Sequence, residues 1–234
     1  EMDERFTSPT DFIGSVHNAP AGQAAIHFHA PGPNITITGC NGSFEQALFS
    51  AGLLCGEDPF LLVGADEYNE HLSPLFDPEA SSAERATDGG GALYLKRKKE
   101  GATSRVAPVF TGFADAGESV IRKLIAELGG AARIRERFGL ILSGIPASFR
   151  EQAKRQEETF LAGTDYPHPL VDYRRFVGEC ASASAVATVL AVLFVEKGMV
   201  PAGLCGRTPA DLGGRGILIL GFGRHVTALE VTPC

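Results

Sequence analysis

The sequence contains no tryptophan and only 2 methionines, and it lacks the features that mark several protein classes. No apolar run reaches the roughly 20 residues needed to cross a bilayer. The longest, Ala181 to Val195, is interrupted by Ser182, Ser184 and Thr188 and reads as a buried helix. The chain opens on Glu1-Met2-Asp3-Glu4-Arg5 rather than on a basic segment followed by an apolar one, so nothing here suggests export. The 21 Lys and Arg gather into no long stripe and are outnumbered by 28 Asp and Glu, giving a formal net charge of -7. That excludes the electrostatic footprint of a nucleic-acid binder. Five cysteines, Cys40, Cys55, Cys180, Cys205 and Cys234, are odd in number, dispersed and never in a C-x-x-C pair. A disulfide framework and a zinc ribbon are both excluded on that spacing, and reduced thiols in a cytoplasm are expected.

What is present is an ordinary globular balance. Hydrophobic residues make up 44% and charged residues 21% of 234, enough for a sizeable core in one large domain or two intertwined halves. A β-branched alternation, Asn34-Ile35-Thr36-Ile37-Thr38, predicts a strand. It ends in Gly39-Cys40-Asn41-Gly42-Ser43, and apolar periodicity from Phe44 to Leu54 predicts a helix with Ser43 at its cap and Glu45 and Gln46 in its first turn. Phe60 to Val63 reads as a buried parallel strand, which would complete a βαβ unit. Further strands are expected at Ala92 to Lys96, Arg105 to Phe113, Phe138 to Leu142, Gly216 to Leu220 and Val226 to Val231. Helices are expected at Glu118 to Leu128, Ala147 to Leu161 and Ala181 to Val195.

Cys40 is the residue with the most chemical potential. A strand-to-helix turn relieved by Gly39 and Gly42 would lift its thiol out of the sheet, and a helix N-terminus would favour the thiolate and offer amides to an oxyanion. The spacing alone equally fits a small buried residue in a tight turn. His27 and His29 fall on one strand face but have no third metal ligand near them, so they read as surface residues and no metal is expected. Lys96-Arg97-Lys98-Lys99 reads first as a solvated turn, with an acidic carrier protein as the alternative partner. Asp88-Gly89-Gly90-Gly91 is followed by a strand and no Gly-Lys, which excludes a phosphate loop. No cofactor is implied.

Several segments in order carry a family resemblance. They are Ser15-Val16-His17-Asn18-Ala19-Pro20-Ala21-Gly22-Gln23, Gly32-Pro33-Asn34, Thr38-Gly39-Cys40, Leu61-Leu62-Val63-Gly64-Ala65-Asp66, Asp88-Gly89-Gly90-Gly91-Ala92, Gly178-Glu179-Cys180 with Val200-Pro201, and Gly221-Phe222-Gly223-Arg224-His225. Together they resemble the β-ketoacyl synthases, the condensing enzymes of fatty acid and polyketide synthesis. The resemblance implies an α/β, thiolase-like αβαβα fold of two pseudo-duplicated halves, 1–87 with the cysteine elbow and 88–234, the first lacking the family's initial strands. It also implies dimerisation through Asn34 to Thr38, an acyl carrier protein as partner, and an oxyanion hole from the amides of Cys40 and Phe222.

The departures from the family pattern bear most on function. Where condensing members place two catalytic histidines, context puts Ser143 and Glu179. Neutral imidazoles stabilise the enolate and oxyanion of a decarboxylative condensation, whereas an ionised Glu179 would repel them. A protonated Glu179, or substitution by His17 or His225, would be the escapes. Two readings follow from the resemblance. One is a condensation-impaired partner subunit similar to a chain-length factor, paired with an active ketosynthase. The other is an acyltransferase or ketosynthase that forms an acyl thioester on Cys40.

Overall fold

A computed structural model describes residues 14, 16–39, 41–54, 56–76, 86–97, 100–114 and 118–234. The chain divides into two compact units, 1–39 and 40–234.

In the first unit, helix α1 (Ala19–His27) begins with Pro20, whose missing N–H is unpaired in any helical first turn. None of its residues is buried. The segment after it runs past Asn34, whose side-chain amide donates to the Ala21 carbonyl at 2.9 Å. Residues 33–39 adopt no strand, contrary to the expectation for Asn34 to Thr38. A β-branched alternation becomes a strand only where a neighbouring strand supplies hydrogen bonds.

The second unit is built on a mixed five-stranded sheet in the order β3-β9-β8-β4-β5, with β3 Ser104–Phe113, β4 Phe138–Gly144, β5 Leu170–Asp172, β8 Gly216–Gly221 and β9 His225–Pro233. β9 runs antiparallel to both β3 and β8, while β4 runs parallel to β8 and β5. Alternating side chains feed two cores, as strict period-two geometry requires. Leu140, Leu142, Ile217, Ile219, Leu229 and Val231 point into one core, which includes Ala183, Ala185, Ala187 and Ala191 of α8 (Ala183–Lys197). Ile141, Leu218, Leu220, Val226 and Ala228 point into the other, with residues of α4 (Glu118–Glu127), α5 (Ala131–Arg137) and α6 (Arg150–Thr164). Fully buried leucines and isoleucines contribute about 1.5–3 kcal/mol each.

The first core also takes in α2 (Ser43–Leu54) through Phe44 and Leu48, and the antiparallel pair β1 (Phe60–Asp66) and β2 (Gly89–Leu95) through Leu62 and Leu93. The remaining elements are short: α3 (Ser73–Phe76), α7 (Arg174–Val177), and the β6 (Met199–Val200) and β7 (Ala210–Asp211) pair.

Most expected elements of 104–234 form within a few residues of their expected bounds, and the corrections fall before them. Phe60 to Val63 is not a buried parallel strand, since β1 pairs antiparallel with β2 and exposes Leu61 and Val63 by about half. With no strand at Asn34 to Thr38, no βαβ crossover is made. Beyond these, α1, α3, α5, α7, β5, β6 and β7 form where no element was expected, because periodicity is weak over such short lengths. β2 starts three residues before Ala92 because its glycines permit close approach. A Cβ on Gly91 would lie 2.8 Å from the Ala185 backbone, and one on Gly64 would lie 2.6 Å from the Ala185 methyl. Gly91→Ala is therefore expected to push β2 off α8 and to destabilise the protein by about 1–3 kcal/mol, the usual cost of overpacking, read as a lower urea midpoint.

Candidate functional site

Cys40 lies outside the described residues, as do Cys55, Lys98 and Lys99. The residues that follow Cys40 are defined and sit at the head of α2. A Cβ added to Gly42 would rest 3.8 Å from Thr227 and 3.9 Å from His225, so β9 passes directly beside this turn. His225 packs its ring on Phe113 at 4.7 Å, and its Nδ1 is buried without a hydrogen-bond partner.

Glu45 is the first surprise of the turn. Although a first-turn acid, it is 2% exposed, in the same apolar helix face as Phe44 and Leu48. The Thr227 hydroxyl donates to it at 3.3 Å, and its other oxygen has no partner. Burial pushes its pKa from 4.5 to about 7, opposed by hydrogen bonding, including that from the Ser184 and Thr227 hydroxyls, and by the charge of Arg174.

Arg174, at the start of α7, is only 5% exposed and is the centre of a polar network. Its guanidinium donates to the Glu179 carboxylate at 3.0 Å, to the Cys180 carbonyl at 3.2 Å and to the Asn41 side-chain oxygen at 2.8 Å. Glu179 also accepts the Ala147 amide at 3.4 Å. Both ions of the Arg174–Glu179 pair are buried. Removing one partner alone would strand a buried charge, a loss of about 3–5 kcal/mol. Glu179 thus has a cationic partner within hydrogen-bonding distance.

Ser143 ends β4, fully buried, and its hydroxyl donates to the Glu157 carboxylate of α6. Burial raises the pKa of Glu157, with the Ser143 hydrogen bond acting in the opposite direction. Ser143 and Glu179 therefore do not share a partner. One is tied to α6 and the other to Arg174.

The Gly-Phe-Gly turn is held equally firmly. Phe222 is buried against Phe160, and its amide donates to the Gly144 carbonyl at 3.1 Å, so this candidate oxyanion donor is already engaged. Gln156 of α6 clasps Gly223 from both sides, accepting its N–H at 2.8 Å and donating to its carbonyl at 3.0 Å. Gly223 adopts a φ of +121°, a conformation that favours glycine.

His17 lines an open depression of the first unit with Asn18, Asn34, Ile35, Thr36 and Thr38. His27 ends helix α1 and His29 follows it in a turn with a φ of +50°, so the two do not share a strand face as expected; both are exposed, and no cluster of metal ligands occurs among the described residues. Arg97 donates to the Gly52 carbonyl instead of standing free. Cys180, Cys205 and Cys234 are free thiols, with burial raising the pKa of Cys180 and Cys205. Among the described residues no helix is long and apolar enough to cross a membrane. Asn41, Glu45, Gln156, Glu157 and Arg174 were missed by sequence reading. Only Glu45 carried a signal, an acid at a core position of an apolar helix.

Both the first part of the sequence and the fold have counterparts among known proteins. Residues 2–103 match the family model described as beta-ketoacyl synthase, N-terminal domain. The fold is similar to that of an oxazolomycin ketosynthase domain from Streptomyces albus JA3453, at 16% identity and a TM-score of 0.66, covering 92% of this chain and 69% of that one. A type II PKS acyl-carrier protein in complex with its ketosynthase bound to the hexaketide matches at 17% identity and a TM-score of 0.68, over 99% of this chain and 70% of that one. The ishigamide ketosynthase/chain length factor matches at 19% identity and a TM-score of 0.61, over 97% of this chain and 64% of that one. No curated protein matches in sequence. Residues 2–103 thus resemble the N-terminal domain of beta-ketoacyl synthases, and the chain has an α/β fold similar to that of ketosynthases.

Two outcomes are expected from these contacts. Folded Glu45 keeps a proton that the unfolded chain releases near pH 4.5, so this group's contribution to stability falls as pH rises from about 4.5 to about 7 and is level above that, with a limiting slope of about 1.4 kcal/mol per pH unit. Glu45→Gln should remove this contribution, and thermal unfolding of both proteins between pH 5 and 8 measures the difference. Gln156→Leu leaves the Gly223 amide and carbonyl unpaired and should destabilise the protein by about 1–3 kcal/mol, seen as a lower urea midpoint.

Proposed function

We propose that the protein is a condensation-impaired partner subunit of chain-length-factor type, acting in fatty acid or polyketide synthesis on acyl thioesters of an acyl carrier protein. A ketosynthase paired with it supplies the chemistry. The observation that carries this reading is the state of the two positions aligned with the family histidines. Ser143 is spent on Glu157 and Glu179 on Arg174, so neither offers a free neutral donor to an enolate. The engaged amide of Phe222 points the same way.

In this reading Asn34 to Thr38 pairs with the partner subunit, which explains a β-branched segment that forms no strand within one chain. The halves 1–87 and 88–234 correspond to the pseudo-duplicated halves of the fold, α8 borders the acyl tunnel, and the protein works in the cytoplasm. A second reading is favoured by the retained Cys40 between Gly39 and Gly42, which would accept an acyl group as a thioester using its own amide as oxyanion donor.

Incubation with acyl-loaded carrier protein, with and without a ketosynthase partner, followed by peptide mass spectrometry separates the two. The partner-subunit reading expects no adduct on this chain, and a partner-dependent product that survives Cys40→Ala. An acyl adduct at Cys40 that is lost in Cys40→Ala would overturn it in favour of acyl transfer.

A further inference from the structure

Arg174 does more than neutralise Glu179. Its guanidinium hydrogen-bonds simultaneously to the turn entering α2, through Asn41, and to the segment entering α8, through Glu179 and the Cys180 carbonyl. The bonded residues are 133 positions apart for the Arg174–Asn41 bond and only 5 and 6 apart for the others. The long-range bond is thus a tertiary tie, while the local ones fix the guanidinium in place. Several donors spread in a rigid plane make this possible, and a lysine ammonium on a flexible stem could not hold the same three acceptors at these angles.

The turn needs such a tie. Asn41 and Gly42 precede the first turn of α2, where the chain is not yet held by α2's own ladder beyond the Gln46 amide to Gly42 carbonyl bond of 3.1 Å. Below them, α2 puts Glu45 into the core, and Arg174 is among the charges that act on it. The side chain that grips Asn41 therefore also compensates a carboxylate with an unpartnered oxygen.

We propose that Arg174 is a positioning residue for the turn at the head of α2, setting the conformation of Asn41–Ser43 through the Asn41 side chain while Glu179 serves as its anchor. Glu179 then acts as a structural counter-ion at the position where relatives would be expected to act on substrate. This assignment depends on neither functional reading, because either a catalytic or an inert residue 40 needs the turn held.

Hydrogen exchange of the full chain, resolved by peptide, tests it. Asn41→Ala deletes only the tertiary bond and should raise exchange over residues 41–48 at least tenfold, with residues 138–144 and 216–221 as protected as in wild type. Asn41→Asp keeps an acceptor, now charged, and should restore protection. In an Arg174→Gln background, Asn41→Asp should restore nothing. The alkylation rate of Cys40 by iodoacetamide, located by peptide mass spectrometry, should change at least threefold in Asn41→Ala and return toward wild type in Asn41→Asp. Unchanged exchange over 41–48 in Asn41→Ala overturns the proposal, as does a rescue by Asn41→Asp that persists without Arg174. Should Arg174→Gln fail to fold, the two Asn41 variants alone decide the matter by the same criterion.

Discussion

Strands β4 and β8 are covered on both faces, and this double burial governs the second unit. A strand so placed must be apolar at nearly every position, as Phe138 to Leu142 and Ile217 to Leu220 are. Each further element then has one face of the sheet to join. α8, α2 and the β1–β2 pair take the first face, and α4, α5 and α6 the second. Small residues set how near they come. Gly64 and Gly91 bring the β1–β2 pair onto Ala185 with no space for a methyl group, so dispersion contacts form along a backbone-to-helix seam.

Into the first face the protein inserts a cluster of polar groups that a purely structural core would avoid. Glu45, Arg174, Ser184 and Thr227 are each at most 5% exposed. Burying them costs free energy unless each finds a partner, and the partners are incomplete at Glu45 and Arg174. Polar clusters of this kind persist where they fix a geometry, and here that geometry is the junction between the α2 turn, the α7 segment and the start of α8. A second set of contacts, Gln156 with Gly223 and Ser143 with Glu157, ties α6 to the ends of β4 and β8 from the opposite face. The ends of the central strands, with Ser143 on β4 and Glu179 on the segment after α7, are therefore braced from both sides.

Such bracing bears on how the fold is used. Groups that stabilise developing charge must be free to donate when the substrate arrives. At Ser143, Glu179 and the Phe222 amide the donors and acceptors already satisfy one another. An internally satisfied centre leaves these groups committed to one another rather than to a ligand.

The sequence by itself determined the βα rhythm from Arg105 onward, because period-two and helical hydrophobic patterns there coincide with burial on both faces of one sheet. It also determined the family resemblance, through short glycine-bearing motifs whose order survives divergence. Only the tertiary structure decided that Phe60–Asp66 pairs antiparallel with Gly89–Leu95, since an apolar run does not state its partner or direction. Tertiary structure alone also decided the partners of Ser143, Glu179 and Glu45. Arg174 reaches Asn41 across 133 residues, and Thr227 reaches Glu45 across 182. Local spacing carries no information about bonds of that range, because they arise from where the sheet and its helices place chain segments that are unrelated in sequence.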